Sequence, residues 1–115
     1  MGAVMPPIPL SLLPDDMSVR VPVESEYGGE VAGEDDAVLI EHVRFSDSAS
    51  MARNGYVFSD GGKGLVYVDA VNSAGAFDVP VGSLVRIGES ELTVVKSVPC
   101  PGFFGVVHHW ELEVA

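Results

Sequence analysis

Apolar residues recur mainly at every second position, in short runs separated by glycine, proline and asparagine. The strongest run is Gly64–Val71, which is β-branched and aromatic and is apolar on both alternating faces. Glycines precede this run, and the turn-forming segment Asn72–Gly75 follows it. A bounded run of this kind predicts a strand buried at the centre of a sheet or in a barrel wall.

Five further runs have the length and composition of strands. With 13 glycines and 8 prolines, and no helical periodicity beyond a turn or two, the chain favours short strands and tight turns. We therefore predict an all-β fold, a small six-stranded β-barrel or rolled sheet, with a long loop between the second and third strands. The other five predicted strands are Met17–Val23, Ala37–Phe45, Ser83–Ile87, Glu91–Val98 and Val106–Val114.

Strict alternation also predicts which side chains face the interior. In the second strand it places Leu39, Val43 and Phe45 inside, and it brings Glu41 onto the same inward phase. In the last strand it sends neighbouring residues such as His108 and His109 to opposite faces.

The first fourteen residues are apolar but are interrupted by prolines, which disfavour a helix. We expect residues 1–14 to form an extended N-terminal arm and residues 15–115 to form a single barrel domain. An apolar arm of this kind usually docks on something else. The candidate partner-docking residues of the arm are Ile8, Leu10, Leu12 and Leu13.

Two loops stand out between the predicted strands. Glu24–Asp36 carries six acids and no base, and we expect a solvated hairpin. Calcium binding by its contiguous acids Glu34, Asp35 and Asp36 is disfavoured, because the alternating ligand spacing of a calcium loop is missing. Ser46–Lys63 is long for a compact domain, so it is either a surface loop or an element that orders only against neighbouring molecules.

The net charge and the length of the chain exclude several classes of function. The chain has 115 residues, a net charge of -11 and 47% hydrophobic residues, which predicts one folded domain and argues against binding to the phosphate backbone of nucleic acid. No apolar run is long enough for a transmembrane helix, and we expect no signal peptide. A single cysteine, Cys100, excludes an internal disulfide and favours a reducing compartment.

No catalytic, metal-binding or cofactor-binding site is predicted. His108 and His109 are expected on opposite faces, His42 and His108 lack an evident third ligand, and Cys100 between two prolines suits a tight turn. Asp60–Gly64 resembles a phosphate loop in composition but lacks the strand before it and the helix after it. We therefore expect no enzyme and no cofactor.

Three segments together are similar to one protein family. They are Glu41–Phe45, the central run Gly64–Ser73 with Gly75–Phe77 after it, and the final His108–Val114. This pattern resembles the minor capsid proteins of tailed bacteriophages, which are related to the head-completion or stopper proteins of the head–tail connector. The resemblance covers nearly the whole chain from about Val19, and His-His-Trp-Glu near its end is its most specific part.

The resemblance implies a structural virion protein at the head–tail interface, assembled in the host cytoplasm. Its subunits would form a ring, twelvefold in symmetry, beneath the portal and its adaptor, join the tail proteins and help to retain packaged DNA. DNA would pass through the channel without specific binding, and no membrane would be involved. The candidate channel-loop residues are Met51, Arg53, Asn54, Tyr56 and Phe58.

Two other function classes remain open from the sequence. A generic small β-barrel adaptor would bind a protein partner through its N-terminal arm and would remain a monomer at high concentration. A small metal-dependent enzyme would purify with stoichiometric metal.

Overall fold

Six antiparallel strands form a closed barrel, as the hydrophobic pattern predicts. The computed structural model describes residues 6–52, 55–58, 61–102 and 105–115. The order around the barrel is β1-β2-β3-β6-β5-β4, and β4 pairs with β1 to close the sheet. The strands are β1 (Asp15–Arg20), β2 (Val38–Asp47), β3 (Gly64–Asp69), β4 (Leu84–Ile87), β5 (Ser90–Pro101) and β6 (Val107–Val114).

Helical structure among the described residues is limited to short turns. A five-residue helix, α1 (Ser48–Ala52), follows β2, and single 3-10 turns occupy Leu10–Leu12 and Glu34–Asp36. Within the described ranges, no helix has the length and apolar character needed to cross a membrane.

The barrel interior is filled by aliphatic side chains from every strand. Such an interior is a packed core that stabilises the fold through burial of apolar surface. Trp110 and Phe45 are partly buried and pack against this core. Its buried members are Met17, Val19, Ile40, Val43, Val66, Val68, Val79, Val85, Leu92, Val94, Leu112 and Val114.

The central strand is buried on both faces, as its sequence predicts. Along β3, every residue except the half-buried Tyr67 is buried. Its inner face contributes Val66 and Val68 to the core, whereas Leu65 and Asp69 are buried on the outer face. The strand pairs with β2 on one side and with β6 on the other. The outer face of β3 is therefore covered by segments that lie outside the barrel, namely the loop after β2 and the N-terminal arm.

A β-bulge at His42 changes the phase of β2. Asp15 pairs with Val43 and Asp16 pairs with Glu41, so His42 is an extra residue opposite β1. His42 adopts a left-handed backbone conformation with φ 62°, and its N–H donates to Asp16 Oδ1 at 3.2 Å. A bulge of this kind adds one residue to one strand and bends it.

The bulge makes the predicted inward phase of β2 wrong in its first half. Ile40 and Val43, three residues apart, are both fully buried, while Leu39 is 54% exposed and Glu41 is exposed. Strict alternation cannot place Ile40 and Val43 on the same face. The bulge also brings the N–H of Glu41 to the carbonyl of Ala74 at 3.0 Å, which ties β2 to the turn after β3.

Candidate functional site

The outer face of β3 and β6 carries most of the polar contacts that attach segments outside the barrel. Asp69, at the end of β3, is completely buried. Its Oδ2 accepts hydrogen bonds from the N–H groups of Val71 at 2.9 Å and Asn72 at 2.8 Å, which shapes the turn after the strand. Its Oδ1 accepts a further bond from the N–H of Ile8 at 2.9 Å. One carboxylate therefore holds both the turn and the N-terminal arm.

Further contacts fix the arm on the barrel. The Asn72 side-chain amide donates to the carbonyl of Ile8 at 2.8 Å, and His108 Nε2 lies 2.6 Å from the carbonyl oxygen of Pro6. Leu13 is only 1% exposed and Ile8 is half-buried, whereas Leu10 and Leu12 are 52% and 48% exposed. Of the four docking candidates on the arm, Leu10 and Leu12 thus have the most surface available to another molecule.

The described part of the loop between β2 and β3 folds back on the barrel. Its base is closed by a bond from Ser48 N–H to the Lys63 carbonyl at 2.7 Å, and Tyr56 N–H donates to the Met51 carbonyl at 3.2 Å. Met51 is half-buried and lines a shallow groove together with Ile8, Leu12, Leu13, Arg44, Ser46, Ser50 and Tyr67. The arm and the start of the loop therefore share one groove on the outer face of the barrel.

Tyr56 and Phe58 form the second contact of the loop. Their rings meet edge to face with centroids 4.5 Å apart, and the Tyr56 hydroxyl donates to Glu113 Oε1 at 3.3 Å. Burial, together with the negative charge of Glu113, raises the pKa of Tyr56. Val57, the residue between Tyr56 and Phe58 in the sequence, is 87% exposed. Arg53 and Asn54, also predicted as channel-loop residues, lie outside the described residues.

A second bulge brings the two neighbouring histidines together. Pro101 pairs with Val107 and Cys100 pairs with His109, so His108 is an extra residue on β6. His108 Nδ1 lies 2.8 Å from His109 Nδ1. The prediction that His108 and His109 point to opposite faces is wrong, because it assumed regular pleating, and a bulge re-aims side chains.

Cys100, His109 and Glu111 form a compact cluster on the outer face of β5 and β6. Glu111 Oε2 lies 3.0 Å from His109 Nε2 and 3.2 Å from Cys100 Sγ. Burial, followed by the hydrogen bond to Glu111 and its negative charge, raises the pKa of the Cys100 thiol to about 11. The potential ligand atoms of Cys100, His109 and Glu111 all lie within 4.8 Å of one another, which is close enough for the three side chains to hold one metal ion.

Sequence reasoning missed this cluster, although part of the signal was present. His109 and Glu111 are two residues apart on one strand and so share a face. The register between β5 and β6, which places Cys100 opposite His109, could not be predicted from the sequence.

The acidic segment forms the predicted hairpin beyond β1. Val23 N–H donates to the Glu30 carbonyl at 3.0 Å, and Ala32 N–H donates to the Val21 carbonyl at 2.8 Å. Arg20 Nε donates to the Ala32 carbonyl at 2.6 Å, which attaches the hairpin to the barrel. Tyr27 at the tip is 90% exposed. The hairpin therefore presents an aromatic side chain within a strongly acidic segment.

Comparison with models of protein families finds a match. A family model described as minor capsid protein matches residues 9–114, nearly the entire chain. No curated protein matches the sequence, and no solved structure matches the fold.

Proposed function

The chain belongs to the minor capsid protein family of bacteriophages, and from this we propose that it is a subunit of the head–tail connector. As a member of that family it is a structural protein of the virion that contacts other virion proteins. In the proposal, subunits form a twelvefold ring beneath the portal and its adaptor, join the tail and help to retain packaged DNA. The role is structural and involves no catalysis.

The observation that supports this role best is the closure of the barrel. Each of the six strands pairs with a strand on both sides. No strand is therefore a free sheet edge to which a strand of a neighbouring subunit could be added over its whole length. Assembly contacts can then come from exposed side chains on the barrel surface, such as Leu39, or from segments outside the barrel. The arm, the loop and the acidic hairpin are such segments, and each exposes apolar surface at Leu10 and Leu12, Val57, or Tyr27.

The charge of the chain suits a channel for DNA. With a net charge of -11, a ring of subunits would repel the phosphate backbone, so DNA could slide past without specific binding. We place the acids Asp47 and Asp60, or those of Glu24–Asp36, at the channel surface; Asp60 lies outside the described residues. Tight, salt-sensitive binding of the isolated protein to duplex DNA would contradict this part of the proposal.

The loop between β2 and β3 is the proposed gate. Ser46 and Asp47 are paired in β2, so the loop between the strands is Ser48–Lys63. Half of it, with α1 extended at about 3.3 Å per residue, would span roughly 26 Å, which lets loops from several subunits meet near a ring axis. Tyr56 and Phe58 would then leave their contacts on the barrel and pair with neighbouring loops, with Met51, Arg53 and Asn54 near the constriction. Release of Tyr56 would break one hydrogen bond to the buried Glu113, at a cost of about 1.5–3 kcal/mol, which contacts between neighbouring loops would have to offset.

Replacement of the loop tip tests the gate. Phage particles whose subunits carry a glycine–serine linker in place of Asn54–Asp60 should assemble the connector but lose packaged DNA. The matched control inserts the same linker between Gly88 and Glu89, in the exposed turn that joins β4 to β5 and has no role in the proposal, and those particles should keep their genomes. If the loop variant keeps full genomes, the gate is wrong and the ring is a passive connector.

The ring itself has a separate test. Native mass spectrometry and electron microscopy of assembled particles should locate the subunit at the head–tail interface in a closed ring. The alternative is a small β-barrel adaptor that binds one protein partner through its arm, and the exposed Leu10 and Leu12 favour it equally. A location elsewhere on the particle, with no ring, would support that adaptor.

A further inference from the structure

The outer face where β5 meets β6 brings three chemically different metal ligands to one point. A thiol, an imidazole and a carboxylate converge there, from Cys100, His109 and Glu111. The geometry points to a zinc-type binding site for a divalent cation formed by these three residues. This inference does not depend on the connector role, because it uses only contacts within one chain.

The spacing of the three ligand atoms is close to that of tetrahedral coordination. With metal–ligand bonds of about 2.0–2.3 Å, tetrahedral ligand atoms stand roughly 3.3–3.8 Å apart. Glu111 Oε2 lies 3.0 Å from His109 Nε2 and 3.2 Å from Cys100 Sγ. These two pairs would have to separate by a few tenths of an ångström to admit the ion, and all three ligand atoms lie within 4.8 Å of one another. The paired backbones of β5 and β6 hold the three residues together.

Hydrogen bonding outside the cluster orients His109 as a ligand. His108 Nε2 faces the Pro6 carbonyl, which can only accept, so this nitrogen of His108 carries the proton. In neutral His108, Nδ1 is then an acceptor, and His109 Nδ1 at 2.8 Å donates to it. His109 Nε2 is left with a lone pair that faces Glu111. A metal-binding histidine typically donates its other ring N–H in this way.

This arrangement leaves a surplus of electron pairs within the cluster. His109 Nε2 and Glu111 Oε2 are both acceptors when the imidazole is neutral and the carboxylate is ionised, and they lie 3.0 Å apart. The Cys100 thiol donates one hydrogen bond to the cluster, which Glu111 Oε2 accepts. A positive charge between the ligand atoms would relieve the repulsion. A metal ion held between the three ligand atoms can provide it.

The ligand types select among metals. Thiolate and imidazole bind zinc and similar transition metals well, whereas calcium and magnesium prefer oxygen ligands alone. Three protein ligands leave a fourth tetrahedral position for water or for a donor from another chain. All three residues are half-buried, so the ion has access from solvent.

Such a site would also couple the metal to the N-terminal arm. His108 stands between His109 and Pro6, so an ion on His109 would fix the same hydrogen-bond chain that reaches the arm. Metal binding should therefore protect the backbone around Pro6 and Ile8 against proteolysis.

Cobalt and zinc titrations of the full-length, metal-stripped protein test the site. One equivalent of Co²⁺ should produce the intense visible bands of tetrahedral cobalt and a sulfur-to-cobalt charge-transfer band in the near ultraviolet. Zn²⁺ should displace the cobalt and raise the melting temperature in proportion to the logarithm of the free metal concentration. His108→Phe should weaken binding by about 10- to 100-fold and keep the charge-transfer band, since it removes only an orienting partner.

Matched variants distinguish the site from adventitious binding. Cys100→Ser should abolish the charge-transfer band, and His109→Gln and Glu111→Gln should weaken Zn²⁺ binding more than His108→Phe does. His42→Asn is the control, because His42 is exposed on β2 and asparagine tolerates its left-handed backbone. Circular dichroism of each variant verifies folding. Absence of one-equivalent binding, a cobalt spectrum without sulfur ligation, or equal weakening by His42→Asn would overturn the site and leave the three residues as a hydrogen-bonded cluster without a metal.

Discussion

The buried carboxylate of Asp69 accepts a hydrogen bond at 2.9 Å from the backbone N–H of Ile8, 61 residues earlier in the chain. Because the same side chain also accepts from two N–H groups in the turn after β3, the end of the central strand and the arm share one anchor. The arm is thus attached to its own barrel, while part of its apolar surface remains exposed.

Removal of this anchor should loosen both segments. Asp69→Ala leaves three backbone donors without their acceptor and should lower the free energy of unfolding by about 3 kcal/mol or more. Asp69→Asn keeps one acceptor oxygen and should cost less. Urea unfolding measures the stability, and amide exchange at Ile8 reports the arm directly. Wild-type stability and unchanged Ile8 exchange in Asp69→Ala would show that the anchor is unimportant.

Substitution of two adjacent leucines should have different effects: one should lower the stability of the fold and the other should weaken docking on a partner. Leu13 is 1% exposed, so Leu13→Ala should destabilise the chain by about 2–5 kcal/mol. Leu12 is 48% exposed, so Leu12→Ala should change stability by only about 0.5 kcal/mol. If the arm docks on a partner, Leu12→Ala should nevertheless reduce incorporation into phage particles. Normal incorporation of a Leu10→Ala, Leu12→Ala double variant would argue against arm docking.

The bulge in β2 should depend on the backbone freedom of residue 42. A β-branched side chain is strained at φ 62°, so His42→Val should destabilise the chain by about 1–2 kcal/mol. His42→Gly adopts this conformation without strain and should be close to neutral, because the histidine side chain is exposed. Thermal unfolding compares the two variants. Equal melting temperatures would show that the left-handed conformation is not required in solution.

The hydrogen bond from Tyr56 should hold the loop on the barrel of the free subunit. Tyr56→Phe keeps the ring contact with Phe58 but removes the donor to Glu113, at an expected cost of about 1 kcal/mol or somewhat more. Limited proteolysis near the exposed Val57 should become faster. Unchanged cleavage would mean that packing of the two rings is sufficient to hold this segment.

Cys100 of the metal-free protein should react slowly with alkylating reagents. The thiolate is the reactive form, and with a pKa of about 11 only about one thiol in a thousand is ionised at pH 8. The alkylation rate should therefore continue to rise up to about pH 11. Glu111→Gln removes the negative charge that favours the neutral thiol, so it should lower the pKa and speed the reaction at pH 8. A wild-type rate at pH 8 that matches the urea-unfolded chain would contradict the raised pKa.

The sequence predicted the strands well because alternation and turn residues are local signals. The run Gly64–Val71 is apolar on both faces, and the strand it predicts is indeed buried on both faces from Gly64 to Asp69. The inward phase of Leu39 was wrong because the bulge at His42 depends on pairing with Asp15 and Asp16, which lie on another strand. The alternation of apolar and polar residues within β2 does not predict which residues of β1 pair with it.

The same limit explains what was missed at the other end of the barrel. The approach of Cys100 to His109 follows from the register between β5 and β6, and the contact between the two histidines follows from the extra residue at His108. A sequence gives the order of residues along each strand but leaves the alignment of two strands open when a bulge intervenes.

The acidic hairpin has a practical consequence for locating the protein in intact particles. Gly28 and Gly29 at its tip have open space around them and backbone φ values of 75° and 78°, so the chain reverses there without packing against anything else. The turn therefore offers a permissive position for a genetically inserted epitope or fluorescent label. A small epitope at that point would leave the barrel core, the arm and the long loop intact, and its accessibility to antibody would show whether the hairpin lies at the channel, as proposed, or on the outside of the virion.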